Sequence, residues 1–424
     1  MNAHRMWLLA GVVALLALTS AARELPEARP DRVGMSAERL DRIAELARGY
    51  TESGKLAGVL TVVARDGQVV HVSAVGQRGV EDPRPLTEDA LFRIFSMTKP
   101  ITAVAAMILY EEGKFQLTDP VSKFLPELAE LDVLVDGERV PAKNVMTMQQ
   151  LLTHTAGFSY GFVETDPVDK LYGEAQALGA KDMDEFVERL ATLPLKYEPG
   201  TQWHYSVAVD VTGAVIERIS GQRFGEFLKE RLFDPLDMRD TFFQVPPDKL
   251  DRFLPNHGWD RENDKLVAFD DTEFMDYTGG TRVESGGGGL VSTARDYVRF
   301  AEMMRAGGVL DGVRILSPKT VEFIATDHLP ASLSAGGEGE RPAVNLLNRG
   351  GGFGLGFGLV RDPALTGVIG SPGEYSWGGA AGTIFWIDPV EEMVVVSMIQ
   401  LMGSPWPLRA ELKVLTNAAI TELK

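Results

Sequence analysis

The sequence predicts an α+β fold in which the two ends of the chain build one antiparallel sheet and a helical lobe is inserted between them. Strand-like patterns lie near both ends, at 59–73 and from 353 onward, whereas the strong segments from about 100 to 306 have helical periodicity. Strands at both ends with helices between them favour this layered arrangement. We therefore predict a single domain at 23–424, with a sheet lobe at about 23–90 and 307–424 and a helical lobe at about 91–306.

Residues 1–22 have the pattern of a secretory signal peptide. A short polar start precedes an apolar run of twelve residues at 7–18, and Ser20 and Ala22 supply small residues before a cleavage site. The run is shorter than the roughly 20 apolar residues that a membrane span needs, which favours cleavage over retention as an anchor. We expect a periplasmic or secreted protein with no stable membrane span after cleavage.

Each later element follows from a local pattern. Ser36 is a suitable N-cap for a helix that ends near Tyr50, because apolar residues recur at helical spacing between them. The Asp66-Gly67 pair suits a type I′ turn, so 59–65 and 68–73 should form a β-hairpin. The other predicted helices span 100–112, 147–154, 182–193, 207–220, 223–232, 293–306 and 408–423, and the other predicted strands span 353–360, 383–387 and 393–401.

Composition excludes several kinds of chemistry. The 424 residues include no cysteine, which rules out a disulfide framework, a thiolate nucleophile and cysteine-ligated metal centres. The net charge of −18 disfavours binding to nucleic acid or to an anionic membrane surface. The histidines show no metal-binding spacing, and the glycine-rich segments lack the strand–loop–helix order of a phosphate cradle. We therefore predict no cofactor, no metal and no nucleic-acid partner.

Ser96 and Lys99 are the first candidates for catalysis. A strand-like segment at 91–95 leads into the helix predicted from Pro100, so Ser96 should lie at a helix N-terminus, where the macrodipole favours a developing alkoxide. Lys99 follows on the same helix face, and a serine hydroxyl needs such a base or cation nearby to become a nucleophile. The alternative is a serine N-cap followed by a solvated lysine. The apolar helix argues against it, because a buried lysine is costly to leave unpaired.

Two further segments carry residues suited to catalysis. Tyr205 stands after a loop and opens the helix at 207–220, and a cation nearby would make its phenolate usable as a base. The alternative is a core tyrosine whose hydroxyl binds a backbone group. Trp377-Gly378-Gly379 precedes two strands, and paired glycines let a ligand approach strand N–H groups that would form an oxyanion hole. The alternative for this segment is a β-bulge.

The Gly-x-Ser-x-Gly motif around Ser159 matches the nucleophile elbow of α/β-hydrolases. That elbow requires a strand before the serine and a helix after it. Here the preceding segment is predicted to be helical and the following one to be a loop. We therefore do not expect Ser159 to be the nucleophile, nor a Ser-His-Asp triad built on His154 or His257. His204, beside Tyr205, would either line the pocket or have a surface or capping role.

These motifs, taken in order, resemble those of the serine β-lactamase and penicillin-binding-protein superfamily, specifically the class C-like branch that includes the family VIII carboxylesterases. The Ser-Met-Thr-Lys segment at 96–99 matches the nucleophile motif, and Leu-Leu-Thr-His-Thr-Ala-Gly at 151–157 is typical of the branch. Tyr-Ser-Val at 205–207 matches the tyrosine motif, and Trp-Gly-Gly at 377–379 takes the place of Lys-Thr-Gly. The resemblance covers nearly the whole chain after residue 22.

The resemblance implies a β-lactamase-like fold and a serine acyl-transfer mechanism. Ser96 would attack the carbonyl carbon and form an acyl-enzyme that water later hydrolyses. Lys99 and Tyr205 would share the proton transfers, and the order in which they act stays open because coupled groups titrate as a set. The backbone N–H groups of Ser96 and Ala380 would bind the oxyanion. Substrate contacts would come from Trp377, Gly378 and Gly379.

Two departures from the class C pattern favour esters over β-lactams. Val207 replaces the asparagine that binds amide substrates, and Trp377 stands in the motif whose lysine and threonine bind the β-lactam carboxylate. A neutral small-molecule ester is therefore the expected substrate. The alternatives are a β-lactamase, a D-amino-acid peptidase and a binding homologue without turnover, the last of which conflicts with the intact nucleophile motif. Segments 160–200 and 328–352 should shape the pocket mouth.

Overall fold

A computed structural model describes residues 24–269, 276–279, 282–330, 333 and 350–424. The signal peptide predicted at 1–22 and most of the loop predicted at 328–352 lie outside the described residues. The helices are α1 (Ala37–Glu52), α2 (Thr98–Glu111), α3 (Met148–Leu152), α4 (Pro167–Ala175), α5 (Met183–Ala191), α6 (Ala208–Ser220), α7 (Phe224–Leu228), α8 (Ala294–Arg305), α9 (Pro318–Ile324), α10 (Pro363–Thr366) and α11 (Leu408–Ala418). The strands are β1 (Gly58–Arg65), β2 (Gln68–Gly79), β3 (Asp82–Pro85), β4 (Phe92–Arg93), β5 (Asp132–Val135), β6 (Glu138–Pro141), β7 (Asn256–Asp260), β8 (Lys265–Phe269), β9 (Val291–Ser292), β10 (Val309–Leu310), β11 (Val313–Arg314), β12 (Gly351–Phe353), β13 (Gly358–Val360), β14 (Tyr375–Gly378), β15 (Ile384–Asp388) and β16 (Met393–Met398).

The central sheet joins the two ends of the chain. Its eight strands run in the order β12-β13-β14-β15-β16-β1-β2-β3, and every neighbouring pair is antiparallel. The N-terminal strand β1 pairs directly with the C-terminal strand β16, with Leu60 opposite Met398. This pairing confirms the predicted α+β fold, in which an antiparallel sheet is assembled from both termini.

Apolar side chains on the central strands point alternately into two cores. Val59 and Val63 of β1 pack with residues of α1 and α11 on one face of the sheet. Leu60 and Val62, which point the other way, belong to the larger core that includes α8. Because both faces are covered, the central strands are apolar at nearly every position.

The second lobe is inserted between β4 and β9, which pair with each other at its base. Helix α2 runs through this lobe, and its residues 98–109 are all buried. The lobe also contains two hairpins, β5-β6 and β7-β8, so it is not purely helical as its periodicity predicted. None of the helices among the described residues has the length and apolar character needed to cross a membrane.

Local predictions near the N-terminus are confirmed, whereas one C-terminal strand is wrong. The Ser36 side chain caps α1, and Asp66 and Gly67 have φ of +58° and +73° in the turn between β1 and β2. The segment predicted as one strand at 353–360 is two strands, β12 and β13. Gly356 has φ of +80°, which reverses the chain between them. Period-two alternation therefore misled here, because Phe353, Leu355 and Phe357 are all buried around a turn.

Candidate active site

Ser96 lies in a tight turn that connects strand β4 to the buried helix α2. Residues Phe95–Met97 form one 3-10 turn, and α2 begins at Thr98 rather than at the predicted Pro100. Phe95 has φ of +41°, a conformation that costs a non-glycine residue energy and that clusters at functional turns. Ser96 is half-buried at the start of the helix, as its position in the sequence predicted.

Lys99 is held beneath Ser96 without an acidic partner among the residues that the structure describes. Its side chain is buried, and Nζ donates to Ser96 Oγ at 3.2 Å and to the backbone carbonyl of Gly287 at 2.6 Å. Nζ also lies 4.4 Å from the ring centroid of Tyr205 and 5.1 Å from that of Tyr160. Two aromatic faces and two oxygen acceptors thus surround the ammonium group. The alternative of a solvated lysine is therefore wrong.

Tyr205 reaches Ser96 from the opposite side. Its hydroxyl donates to Ser96 Oγ at 2.6 Å, so the serine oxygen accepts hydrogen bonds from both Lys99 and Tyr205. The structure therefore brings together the three residues that lie at 96, 99 and 205 in the chain. We call these three residues the Ser96 cluster.

His154 fixes the backbone on both sides of Tyr205. Its carbonyl accepts from the N–H of His204 at 2.8 Å, and its Nδ1 accepts from the N–H of Ser206 at 3.3 Å. Burial, together with the positive charge of Lys99, holds the pKa of His154 well below its ordinary value, so the imidazole is neutral. His154 is thus a support for Tyr205 and not the base of a triad. Sequence reasoning did not find this role of His154.

A second layer connects Lys99 to a buried carboxylate. Asp210 in the first turn of α6 accepts from the hydroxyls of Tyr160 (3.0 Å) and Ser285 and from the N–H of Gly287 (2.9 Å). The carbonyl of the same Gly287 accepts from Lys99. Burial and the neighbouring Asp210 raise the pKa of Tyr160 well above its ordinary value, so its hydroxyl stays a donor. This network holds Lys99 in place through one glycine.

The network around Asp210 was missed by sequence reasoning, although one signal existed. Asp210 is fully buried in a helix whose neighbouring residues are apolar, and a buried carboxylate requires hydrogen-bond donors. Gly287 belongs to a run of four glycines at 286–289. A Cβ on Gly287 would overlap both Asp210 and the Tyr160 hydroxyl, so this position requires glycine for close packing.

Trp377 forms an aromatic wall beside Tyr205. It lies on β14, the third strand from one edge of the sheet. Its ring centroid is 5.8 Å from that of Tyr205 and 5.3 Å from that of Phe353. Trp203 and His154 extend the same cluster. These aromatic rings therefore form one contiguous wall beside Tyr205.

The two glycines after Trp377 allow close packing, because neighbouring groups fill the space that a side chain would need. A Cβ on Gly378 would lie 2.7 Å from Nη1 of Arg409, and a Cβ on Gly379 would overlap the carbonyl of Ile94. This close packing brings the segment against the turn that holds Ser96. Ala380, the next residue, is exposed, and its N–H donates to no described residue. The substrate contacts predicted for Gly378 and Gly379 remain a prediction.

Ser159 is buried and forms a direct hydrogen bond with an aspartate. Its Oγ donates to Asp169 Oδ1 at 2.6 Å and lies 3.4 Å from His204 Nε2. Asp169 is also paired with Lys196 at 3.1 Å and does not orient the histidine. The element before Ser159 is helix α3 rather than a strand, and the next helix, α4, begins only at Pro167, so the elbow geometry is missing. These contacts explain the serine as a structural residue.

The remaining histidine candidate is also structural. His257 lies where β7 meets the sheet; its Nδ1 is 2.8 Å from the Gln400 carbonyl and its Nε2 accepts from the Val80 N–H at 3.2 Å. Burial lowers its pKa. Within the described part of the chain, no group of three or more acidic or histidine side chains is arranged to hold a metal ion.

Comparisons with known proteins agree with the fold and the motif order. A family model described as Beta-lactamase matches residues 43–419. An uncharacterized protein of Mycobacterium tuberculosis is 36% identical over 370 residues, covering 83% of this chain and 88% of that protein. Esterase EstB of Burkholderia gladioli is 31% identical over 370 residues, covering 83% of this chain and 87% of the esterase.

One solved structure extends the similarity to three dimensions. EstCE1, a hydrolase with promiscuous acyltransferase activity, has a TM-score of 0.74 to this chain at 25% identity, covering 91% of this chain and 98% of its own. The family match runs across every segment that contributes to the Ser96 cluster and to the Trp377 wall.

Proposed function

This chain belongs to the beta-lactamase family, in the branch of the family VIII-like esterases, and is a serine hydrolase; from that premise we propose that it cleaves carboxylic esters through a covalent acyl intermediate on Ser96. The observation that carries the proposal is the convergence of two proton-transferring groups on one hydroxyl. Tyr205 OH and Lys99 Nζ lie 2.6 Å and 3.2 Å from Ser96 Oγ. Such a constellation is what activates a serine as a nucleophile.

The reaction proceeds in two acyl transfers. Ser96 Oγ attacks the ester carbonyl carbon, and its proton passes to the pair formed by Lys99 and Tyr205. The pair then returns a proton to the leaving alkoxide as the ester C–O bond breaks. In the second half, water attacks the acyl carbon, gives a proton to the same pair, and Ser96 recovers its hydroxyl proton.

Backbone donors stabilise the tetrahedral oxyanion in each half-reaction. The N–H groups of Ser96 and Ala380 donate to no described residue, which leaves both available to a substrate oxygen. The N-terminus of α2 adds the positive end of its dipole to the same region. Preorganised donors of this kind supply a large part of the rate enhancement in acyl transfer.

The walls of the site favour an ester with an apolar acyl group. Val207 is buried at the start of α6 and offers no polar group to an amide. Trp377 stands in the motif position of the lysine that would bind a carboxylate, and its ring packs beside Tyr205. Phe162 is 62% exposed and stacks on Tyr160 with 5.0 Å between centroids, which extends the apolar surface outward from the site. These features favour a neutral small-molecule ester.

The proposal is tested by comparing substrates and serine variants. Initial rates are measured with p-nitrophenyl acetate, butyrate and octanoate and with a chromogenic cephalosporin, for wild type, Ser96→Ala and the matched control Ser159→Ala. We expect ester turnover that is lost in Ser96→Ala and retained in Ser159→Ala. Turnover that survives Ser96→Ala, or cephalosporin turnover that exceeds ester turnover, would contradict the proposal.

The site of action is proposed to be the periplasm or the cell exterior. The support is the signal-like pattern at 1–22. The net charge of −18 and the absence of cysteine are compatible with export. Amino-terminal sequencing of the protein from a secreting host is expected to begin at residue 23. A product that retains residues 1–22 and stays in the cytosolic fraction would contradict this assignment.

A further inference from the structure

A cation lies behind the segment that carries the Ala380 N–H. Arg409, the second residue of α11, donates from Nη2 to the backbone carbonyls of Gly379 at 2.6 Å and Thr383 at 3.1 Å. Its guanidinium fills the space that a side chain at Gly378 would need, since an added Cβ would lie 2.7 Å from Nη1. The glycine at 378 therefore lets the charge reach these two carbonyls.

The charge of Arg409 has no carboxylate partner in the described parts of the chain. Two buried arginines do have one: Arg65 pairs with Glu391, and Arg299 pairs with Asp311, each at 2.6 Å. Burial lowers the pKa of Arg409, although a guanidinium remains protonated in proteins. Holding a partly buried cation on carbonyl oxygens alone costs free energy. A cost of this kind is typical of functional sites.

The Gly379 carbonyl and the Ala380 N–H belong to one peptide group. A charge-assisted hydrogen bond to the carbonyl oxygen draws electron density from the nitrogen, and hydrogen bonds in such chains strengthen one another. The Gly382 N–H donates to the same carbonyl at 3.0 Å and reinforces the effect. At the other end of the peptide, the Ala380 N–H has no acceptor among the described residues, so its donor strength is available to a ligand.

The polarised peptide adjoins the nucleophile. Gly379 packs so closely on the Ile94 carbonyl that a Cβ would overlap it, and Thr383 Oγ1 donates to the same carbonyl at 3.4 Å. Ile94 directly precedes the turn that holds Ser96. Arg409, the Gly379–Ala380 peptide and the Ser96 turn are therefore successive layers of one assembly.

We propose that Arg409 is a positioning residue that strengthens the oxyanion hole by polarising the Gly379–Ala380 peptide from behind. The inference rests on the proposed esterase function, because the oxyanion exists only if an acyl carbonyl is attacked at Ser96. Arg409 itself does not touch the substrate. Its effect is largest when negative charge develops on the carbonyl oxygen, so it acts on kcat more than on KM.

The test compares Arg409→Met, which keeps much of the side-chain volume, with Arg409→Lys, which keeps the charge. Losing a whole oxyanion donor costs about 10²- to 10³-fold in kcat, so weakening one donor should cost on the order of tenfold. We expect that loss in Arg409→Met with KM nearly unchanged, and partial recovery in Arg409→Lys. Thermal unfolding of both variants establishes that each is folded.

A thionoester distinguishes polarisation from simple bracing of the segment. A thiocarbonyl sulfur accepts hydrogen bonds weakly, so thionoester hydrolysis depends little on the strength of the hole. Arg409→Met should therefore slow the oxygen ester by several-fold more than the matched thionoester. Equal losses for both substrates, or variants as active as wild type, would overturn the inference while leaving the esterase function intact. A wild type that hydrolyses neither substrate would overturn both.

Discussion

Tyr205→Phe is the substitution that most directly tests how the Ser96 cluster works. It removes the hydroxyl oxygen that donates a hydrogen bond to Ser96 Oγ at 2.6 Å. The ring remains, with the His154 ring 4.7 Å away and the Trp377 ring 5.8 Å away. The change therefore removes a proton-transferring group with little change in packing.

The expected magnitude follows from the role of that oxygen. A positioned general acid or base contributes about 10²- to 10⁴-fold in rate, which corresponds to roughly 3–5 kcal/mol of activation free energy. We expect Tyr205→Phe to lower kcat for p-nitrophenyl butyrate within this range. KM and the near-ultraviolet circular dichroism of the aromatic cluster should change little.

Tyr160→Phe is the matched control. Tyr160 also lies beside Lys99, at 5.1 Å from Nζ to the ring centroid, but its hydroxyl donates to Asp210 and not to Ser96. Asp210 keeps two other donors, so the control should cost less than about tenfold, in line with the net value of one hydrogen bond. A larger loss in Tyr160→Phe than in Tyr205→Phe would refute the assignment of Tyr205 as a proton-transferring group.

Two further predictions concern stability. Burial raises the pKa of Asp296 to about 6 from its ordinary 3.8, so the unfolded chain loses this proton first as pH rises. The contribution of Asp296 to the free energy of unfolding should therefore fall between about pH 4 and 6 by about 1.4 kcal/mol per pH unit. Asp296→Asn should flatten that slope in urea unfolding at several pH values, and an unchanged slope would contradict the assignment. Ser159→Ala should lower the free energy of unfolding by about 1–3 kcal/mol, because the buried Asp169 loses a donor, while ester turnover per folded molecule stays within several-fold. Complete loss of turnover with an intact fold would make Ser159 the nucleophile.

The parts of the fold set by neighbouring residues were predictable. The positive φ angles of Asp66 and Gly67 are those that a type I′ turn requires, and the Ser36 cap follows from short-range hydrogen bonding. The spacing of Ser96 and Lys99 also lies within one helical turn, so their proximity follows from local structure alone.

The missed parts depend on residues that are distant in the chain. Tyr160 and Asp210 are 50 positions apart, and Arg409 is 30 positions from Gly379, so only tertiary packing brings them together. The segment 353–360 shows a second limit of sequence reasoning, in which a local pattern fits more than one structure. Its alternation is compatible with one strand, and the left-handed conformation of Gly356 that divides it has no unique signal in the sequence.

The central claim is that an acyl group is carried by Ser96. Wild-type protein is mixed with p-nitrophenyl butyrate, quenched in acid within the first turnovers, digested and analysed by mass spectrometry. We predict one butyryl group on the peptide that contains Ser96, and none in Ser96→Ala. Steady ester turnover with no acylated peptide, or a butyryl group on Ser159, would contradict the account.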